Sequence, residues 1–464
     1  MSISGGGRAV PLGSAQYLAN YIVSEGYDRL PAEVVEKAKL CLLDSLGCLI
    51  GAYRLPASKI IAAFVNDLGG ADEVHVAGSH LKTSCATAAF ANATLINALD
   101  FDDIYKKGHL GATVISTALA VGEKVQCSGR EMLEAIVVGY EISGRVGISM
   151  SHSKPRKLLH GHGTWQTLGA TATASKLLKL DADQSAHALA IAAANAPVAS
   201  VMKTVYGANV SMAKNNFGTA AQVGVNAATL AYHGFTGPLD IFDGDTGFWR
   251  MFGADAVDRD ILVGGLGEVY EILDVGFKPY SCCRILQSSI EATLAVFEKS
   301  GVTPESGDYE KIVISAPPIV CEWPFDNRTP SNIWEAQFSG PYCLAMAMLG
   351  REPGPDWFLK ENFCDPKVAE LISRIELRPN DTNRSTFHHA SSVELHLLDG
   401  ELFAATVAVA KGNAANPLSR EFVAAKFYSL AALLLPEARH ALIDAVYQLE
   451  HSRAVIDLIR ELTL

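Results

Sequence analysis

The chain has 464 residues, 49% of them hydrophobic and 19% charged. That is too long for one core, which stops growing at roughly 250 to 300 residues, and too apolar for disorder, so two folded domains are expected. A formal charge of −12, with no run of basic residues, argues against nucleic acid as the main partner and leaves a small anion, held by local lysines, as an acceptable one.

From about residue 13 to 235 the pattern is helical. Segments such as "PAEVVEKAKLCLLDSLGCLIGAY" and "GREMLEAIVVGYEISGRVGISM" carry apolar residues at three and four spacing, and their many alanines predict helices in close contact. Near residue 274 the texture changes. "DYEKIVISAPP" (308–318), "ISRIELRPN" (372–380) and "SSVELHLLDGELFAATVAVAKG" (391–412) alternate with period two, the last as a hairpin turning at Asp399-Gly400, and helical stretches lie between them. After "NPLSREFVAAKFYSLAALLLP" helices return. The expected fold class is mainly α: a large all-helical domain, residues 1–273 plus 408–464, with an inserted smaller α+β domain, residues 274–407.

No stretch approaches the roughly 20 uninterrupted apolar residues of a membrane span, and the N-terminus lacks the pattern of a secretory signal. The nine cysteines read as reduced thiols, because a disulfide framework belongs to small secreted domains. A cytoplasmic protein is the expectation.

Four clusters concentrate polar residues in this apolar sequence. In "NALDFDDIYKKGHLGAT" (97–113) a helix running from Ala86 through Asp103 would place Asn97, Asp100 and Ile104 on one face, with His109 following after a Lys-Lys-Gly turn; the plainest reading is a solvated helix end. In "LLHGHGTWQTLG", His160 and His162 precede a helix, beside glycines that let backbone N–H groups approach a ligand. No carboxylate lies near them in sequence, so a metal is not expected there. In "SMAKNNFGTAAQVG", Lys214 stands among small residues; it either reaches solvent or carries its charge into a cleft. In "DVGFKPYSCCR", Lys278 and Arg284 lie at the seam of the two expected domains, where ligand sites are common.

The cations, histidines and carboxylate of these clusters suit a substrate with several carboxylates. There is no G-x-G-x-x-G after a strand, no Walker loop, no G-x-S-x-G and no H-E-x-x-H, so nucleotide cofactors and serine hydrolysis lose support.

In order, "AAFANATLINALDFDD", "GHLGATVISTALAVGE", "LHGHGTWQTLGATATASKLLKLDADQSAHALAIA", "FKPYSCCRILQSSIEATLAV", "EAQFSGPYCLAMAMLG" and "KGNAANPLSREFVAAKF" resemble the MmgE/PrpD family along nearly the whole chain. That family contains 2-methylcitrate dehydratases, cis-aconitate decarboxylases and iminodisuccinate epimerase. The resemblance implies a helical domain with the α+β insertion as a lid, a homodimer, and a cofactor-free, metal-free site in the cleft between domains. Carried over by motif, the family's aspartate is Asp100, its histidines His109 and His160, and its lysines Lys214 and Lys278. Many relatives carry histidine at Asn97 and threonine at Ile104, so these two positions are candidates for substrate selection.

The expected activity is that of a lyase, a dehydratase or decarboxylase, acting on a small di- or tricarboxylic acid by alpha-proton transfer. Its catalytic residues would be Asp100, His109, His160 and Lys214, and its substrate-binding residues Asn97, Ile104, Lys278, Arg284 and His162. An isomerase or epimerase would need the same residues, and a non-catalytic carboxylate-binding protein is the third reading.

Overall fold

A computed structural model describes residues 13–106, 108–150, 162–198, 201–205, 207, 211–381 and 389–464. Among them helix makes up 57% and strand 8%, a mainly α protein.

The helical part is built around Ala32–Ala52, Cys85–Asn97, Leu110–Val125, Gly129–Ser149, His162–Leu177, Ala182–Asn195 and Phe217–Tyr232. Their starts are written locally. At Gly129–Ser149 the Ser128 hydroxyl accepts from the Glu131 N–H while the Glu131 carboxylate accepts from Ser128, and Asp181 with Gln184 repeats the device at Ala182–Asn195. Small residues then set the spacing between helices. A Cβ on Gly169 would lie 2.8 Å from the Gly139 carbonyl oxygen, and one on Gly224 2.9 Å from the Thr171 nitrogen. Three helices therefore touch backbone to backbone, as their alanine and glycine content predicts.

The strands fall where the period-two pattern puts them. Tyr309–Ala316 pairs in parallel with Ile375–Pro379 and antiparallel with Ser391–Leu397, which forms a hairpin with Leu402–Val407. Gly400 in the turn has φ of 92°, a conformation natural only to glycine. Helix Gln287–Ser300 covers one face of this sheet. A two-stranded ribbon, Val74–His75 with Lys82–Thr83, was not evident from the sequence. All nine cysteines are free thiols.

After the sheet, helix Arg420–Leu430 returns to Ala32–Ala52. Lys426 Nζ reaches Asp44 Oδ1 at 2.7 Å, and both side chains are buried. The segment carrying Lys278 is fastened to the helical part by backbone: Ile104 and Gly276 exchange hydrogen bonds of 2.9 and 2.8 Å, and the Phe277 N–H donates to the Gly412 carbonyl at 2.8 Å. A Cβ on Gly276 would lie 2.0 Å from that carbonyl oxygen, so the crossing requires glycine.

One expectation fails at the place that matters most. The helix beginning near Ala86 does not run through Asp103; it spans Cys85–Asn97, and Asp100 lies beyond it with φ of 50°. Asn97, Asp100 and Ile104 therefore share no helical face. The reason is that four consecutive carbonyls past the helix end find donors elsewhere: Ala98 from Gln337 Nε2 at 2.7 Å, Leu99 from Ser281 Oγ at 2.9 Å, Asp100 from Lys278 Nζ at 2.5 Å and Phe101 from Lys426 Nζ at 2.6 Å. With its carbonyls satisfied from distant segments, the chain leaves the helix at no cost in hydrogen bonds. Two of the donors are cations, which also suit the negative end of the helix.

Candidate active site

The loop 98–109 is not a solvated helix end. Asp100, Asp102 and Asp103 are each 2% exposed or less, and each carboxylate is handled differently.

Asp100 Oδ1 lies 3.3 Å from Lys214 Nζ and 3.4 Å from Lys278 Nζ. Burial alone would push this carboxyl up, but the Lys214 and Lys278 ammonium groups outweigh it and hold Asp100 well below the usual carboxylate range. Both lysines are buried, so Lys214 does not reach solvent. Burial dominates at Lys214 and moves its ammonium downward. At Lys278 burial also disfavours the charge, but Asp100 and Asp102 overcome it and the group shifts upward. Lys214 is held from behind by Gln337, whose Oε1 accepts at 2.6 Å.

Asp102 receives the Asn97 amide on both oxygens, at 2.9 and 3.0 Å. Those bonds favour the carboxylate, yet burial and the charges of Asp100 and Asp103 win over them and over the Lys278 ammonium, pushing the carboxyl up to about 8. Asp103 accepts from Tyr140 Oη at 2.6 Å and from the Gly111 N–H at 3.1 Å. Burial again prevails, and it is pushed up to about 7. One aspartate whose carboxyl is held low and two whose carboxyls are pushed up thus stand within four residues.

His109 is the N-cap of helix Leu110–Val125. Its Nδ1 faces the Asp103 carbonyl at 2.8 Å and Asp102 Oδ1 at 3.6 Å. A carbonyl can only accept, so the proton sits on Nδ1 and Nε2 carries the lone pair. Burial first, then Lys278, hold His109 well below the ordinary imidazole value, and the positive end of its helix acts in the same direction. The result is a neutral base. The His162 ring stands 5.9 Å away and the Phe217 ring 6.1 Å away, both edge-on.

The structure brings Asp100, His109, Lys214, Lys278, Asn97 and His162 near one another, with Asp102 among them, and Asn97 enters through Asp102 and through Asn215, whose Nδ2 donates to its Oδ1 at 3.0 Å. His160 lies outside the described residues. Ile104 and Arg284 belong to a neighbouring cavity of about 310 Å³, which Lys278 and Lys411 also line. Arg284 donates there to the carbonyls of Tyr105 and Lys106, at 3.0 and 2.7 Å. Gln337 and Asn215 were missed because a lone amide in an apolar helix or loop carries no sequence signal. Asp102 was not singled out because, next to Asp100 and Asp103, nothing in the sequence distinguishes it from an ordinary helix-end aspartate.

Asp100, Asp102 and His109 each offer a ligand atom within 4.8 Å of the others, a spacing compatible with a divalent ion. The donor set argues otherwise: two ammonium groups already take up Asp100, and a third positive centre would be repelled. Among the described residues no single helix is long and apolar enough to cross a membrane.

Residues 16–259 match the MmgE/PrpD N-terminal domain and residues 280–450 the MmgE/PrpD C-terminal domain. The chain is 25% identical over 441 residues to a cis-aconitate decarboxylase of Aspergillus terreus (strain NIH 2624 / FGSC A1156), covering 89% of this chain and 88% of that protein. It is 28% identical over 379 residues to a cis-aconitate decarboxylase of Mus musculus, covering 78% and 75%. It is 23% identical over 416 residues to a 2-methylcitrate dehydratase of Escherichia coli (strain K12), covering 83% and 82%.

Proposed function

This chain belongs to the MmgE/PrpD family, and from that membership together with its buried charge cluster we propose that it is a lyase that transfers a proton next to a carboxylate of a small di- or tricarboxylic acid. The relatives are a decarboxylase and a dehydratase, and both reactions generate negative charge on the carbon skeleton. The observation that carries the proposal is the pairing of a neutral, buried His109 with two buried ammonium groups on Asp100.

In this reading His109 Nε2 takes the proton alpha to a carboxylate, and the C–H electron pair moves into an enolate-like carboxylate that Lys214 and Lys278 stabilise. In a dehydration that electron pair expels a hydroxyl group, which leaves as water once it receives a proton. In a decarboxylation the bond to a carboxylate gives up its pair, carbon dioxide leaves, and the carbon is protonated. Asp102, whose carboxyl is pushed up to about 8, is the acid and neutral His109 the base, an assignment resting on pKa values driven apart by environment. Asp100 stays ionised and holds the lysines in place. Remaining carboxylates of the substrate meet Lys278, Arg284 and Lys411 in the neighbouring cavity of about 310 Å³. The lysines supply the positive charge that a metal would, so the reaction is proposed to need no cofactor. A homodimer in the cytoplasm and the division into a helical domain and a lid are part of the same proposal.

Incubation with a panel of di- and tricarboxylic acids in deuterated water, followed by proton NMR, tests it. Loss of water or carbon dioxide from one acid is expected. Deuterium exchange without loss of mass would make the protein an isomerase, and binding without exchange a carboxylate-binding protein.

A further inference from the structure

Gln337 is fully buried and lies in the break between two capped helices. Asn332 Oδ1 accepts from the Trp334 and Glu335 N–H groups at the start of Ile333–Ala336, and Ser339 Oγ accepts from the Tyr342 N–H at the start of Gly340–Met348. The break brings two consecutive side chains to Lys214. Gln337 Oε1 accepts from Lys214 Nζ at 2.6 Å, and the Phe338 ring centroid lies 5.3 Å from the same nitrogen, within the range of a cation–π contact.

The amide has one possible orientation. The Ala98 carbonyl, 2.7 Å from Gln337 Nε2, can only accept and an ammonium can only donate, so the amide nitrogen faces Ala98 and the oxygen faces Lys214. The Gln337 main-chain carbonyl accepts in turn from the Cys283 N–H at 2.9 Å. One residue thus joins the three segments that carry Asp100, Lys214 and Lys278.

Its neutrality has a consequence of its own. Lys214 and Lys278 share a single carboxylate oxygen, Asp100 Oδ1, at 3.3 and 3.4 Å. Two ammonium groups on one carboxylate leave an excess of one positive charge. Asp102, the other carboxyl that faces both lysines, is pushed up to about 8 and removes little of that excess at neutral pH. Glu335, the acid on the same short helix, is directed to Ser331, whose N–H it accepts at 2.8 Å. A carboxylate at position 337 would cancel the excess charge, whereas an amide holds the ammonium and leaves it.

We propose that Gln337 is a positioning residue of this site: its side-chain amide orients the Lys214 ammonium against the Asp100 loop and, being neutral, reserves the excess positive charge of Lys214 and Lys278 for an anionic substrate. This deepens the lyase reading and rests on it.

Gln337→Glu and Gln337→Met both lose the donor to Ala98 and differ at Lys214, where the first places a carboxylate and the second removes the acceptor. Carbon-13 NMR of the lysine ε-carbons in the full chain, with the Lys214 signal identified by its loss in Lys214→Arg, follows the titration of that ammonium. Its other charged neighbours, Asp100, Asp102 and Lys278, stay the same in both variants. The midpoint is expected to lie about one pH unit or more above wild type in Gln337→Glu, and below wild type in Gln337→Met. Calorimetric affinity for tricarballylate, an unreactive tricarboxylate, is expected to fall about tenfold or more in Gln337→Glu and far less in Gln337→Met. Folding is verified by circular dichroism, and either variant decides alone if the other does not fold. A midpoint that stays in place or moves the opposite way overturns the proposal whatever acid the protein acts on. Wild-type affinity in Gln337→Glu overturns it as well and leaves the lyase reading standing. A wild-type chain that binds no tricarballylate overturns both readings.

Discussion

Lys278 grips Asp100 twice, donating to its backbone carbonyl at 2.5 Å and standing 3.4 Å from its Oδ1. The residue so held has φ of 50°, a left-handed conformation that costs a non-glycine residue of order 1 to 3 kcal/mol and survives only where its surroundings impose it. A lysine from residue 278 thus helps to hold the bend that turns Asp100 away from the helix and toward Lys214.

Asp100→Asn should cost both activity and stability. It leaves two buried ammonium groups facing a neutral amide, and breaking a buried pair costs roughly 3 to 5 kcal/mol. Urea denaturation should show that loss, and Lys278→Met in the same chain should recover part of it. A wild-type midpoint for Asp100→Asn would mean that the carboxylate is not the counter-ion described.

His109→Gln, with folding verified, is expected to lower turnover about a hundredfold or more once a substrate is in hand. Because burial and Lys278 hold His109 well below the ordinary imidazole value, the base remains deprotonated in mild acid. The acidic limb of kcat/KM should therefore lie below the usual histidine range in the wild type and vanish in the variant. Unaltered rates would remove His109 from the mechanism.

Asp102 makes stability depend on pH in a direction opposite to an ordinary salt-bridged aspartate. Its carboxyl is raised from 3.8 to about 8 in the folded chain, so the folded state binds the proton more tightly than the unfolded one. The stabilisation is complete below about pH 4 and is lost as pH rises toward 8. Asp102→Asn, which cannot ionise, should gain thermal stability relative to wild type across that window. A constant difference in Tm from pH 4 to 8 would contradict the raised value.

Ile104 is 9% exposed and walls the cavity of about 310 Å³ with Lys278 and Arg284. Replacing it by threonine gives that wall a hydroxyl. Ile104→Thr is expected to shift the ratio of kcat/KM for a hydroxylated acid over its dehydrated analogue by about tenfold. An unchanged ratio across the acid panel would show that this wall does not select substrate.

Much of the architecture is legible in the sequence. Helices such as Gly129–Ser149 announce themselves by apolar periodicity and a capping box, and the hairpin at Asp399-Gly400 by alternation and turn residues, because both signals are local. The residues Asp100, His109, Lys214 and Lys278 could be singled out as charges out of keeping with apolar surroundings, and motif order named the family. What the chain alone could not decide is where the helix after Ser84 stops, since its end depends on Gln337, Ser281, Lys278 and Lys426, donors up to 325 residues away. Nor could it decide which aspartate is held low and which are pushed up. Asp100, Asp102 and Asp103 are chemically identical and adjacent, and only the tertiary structure gives one of them two ammonium groups and leaves the other two to burial. Periodicity reports which side of an element is buried; a charge state depends on desolvation and on distances across space, and those exist only once the chain has folded.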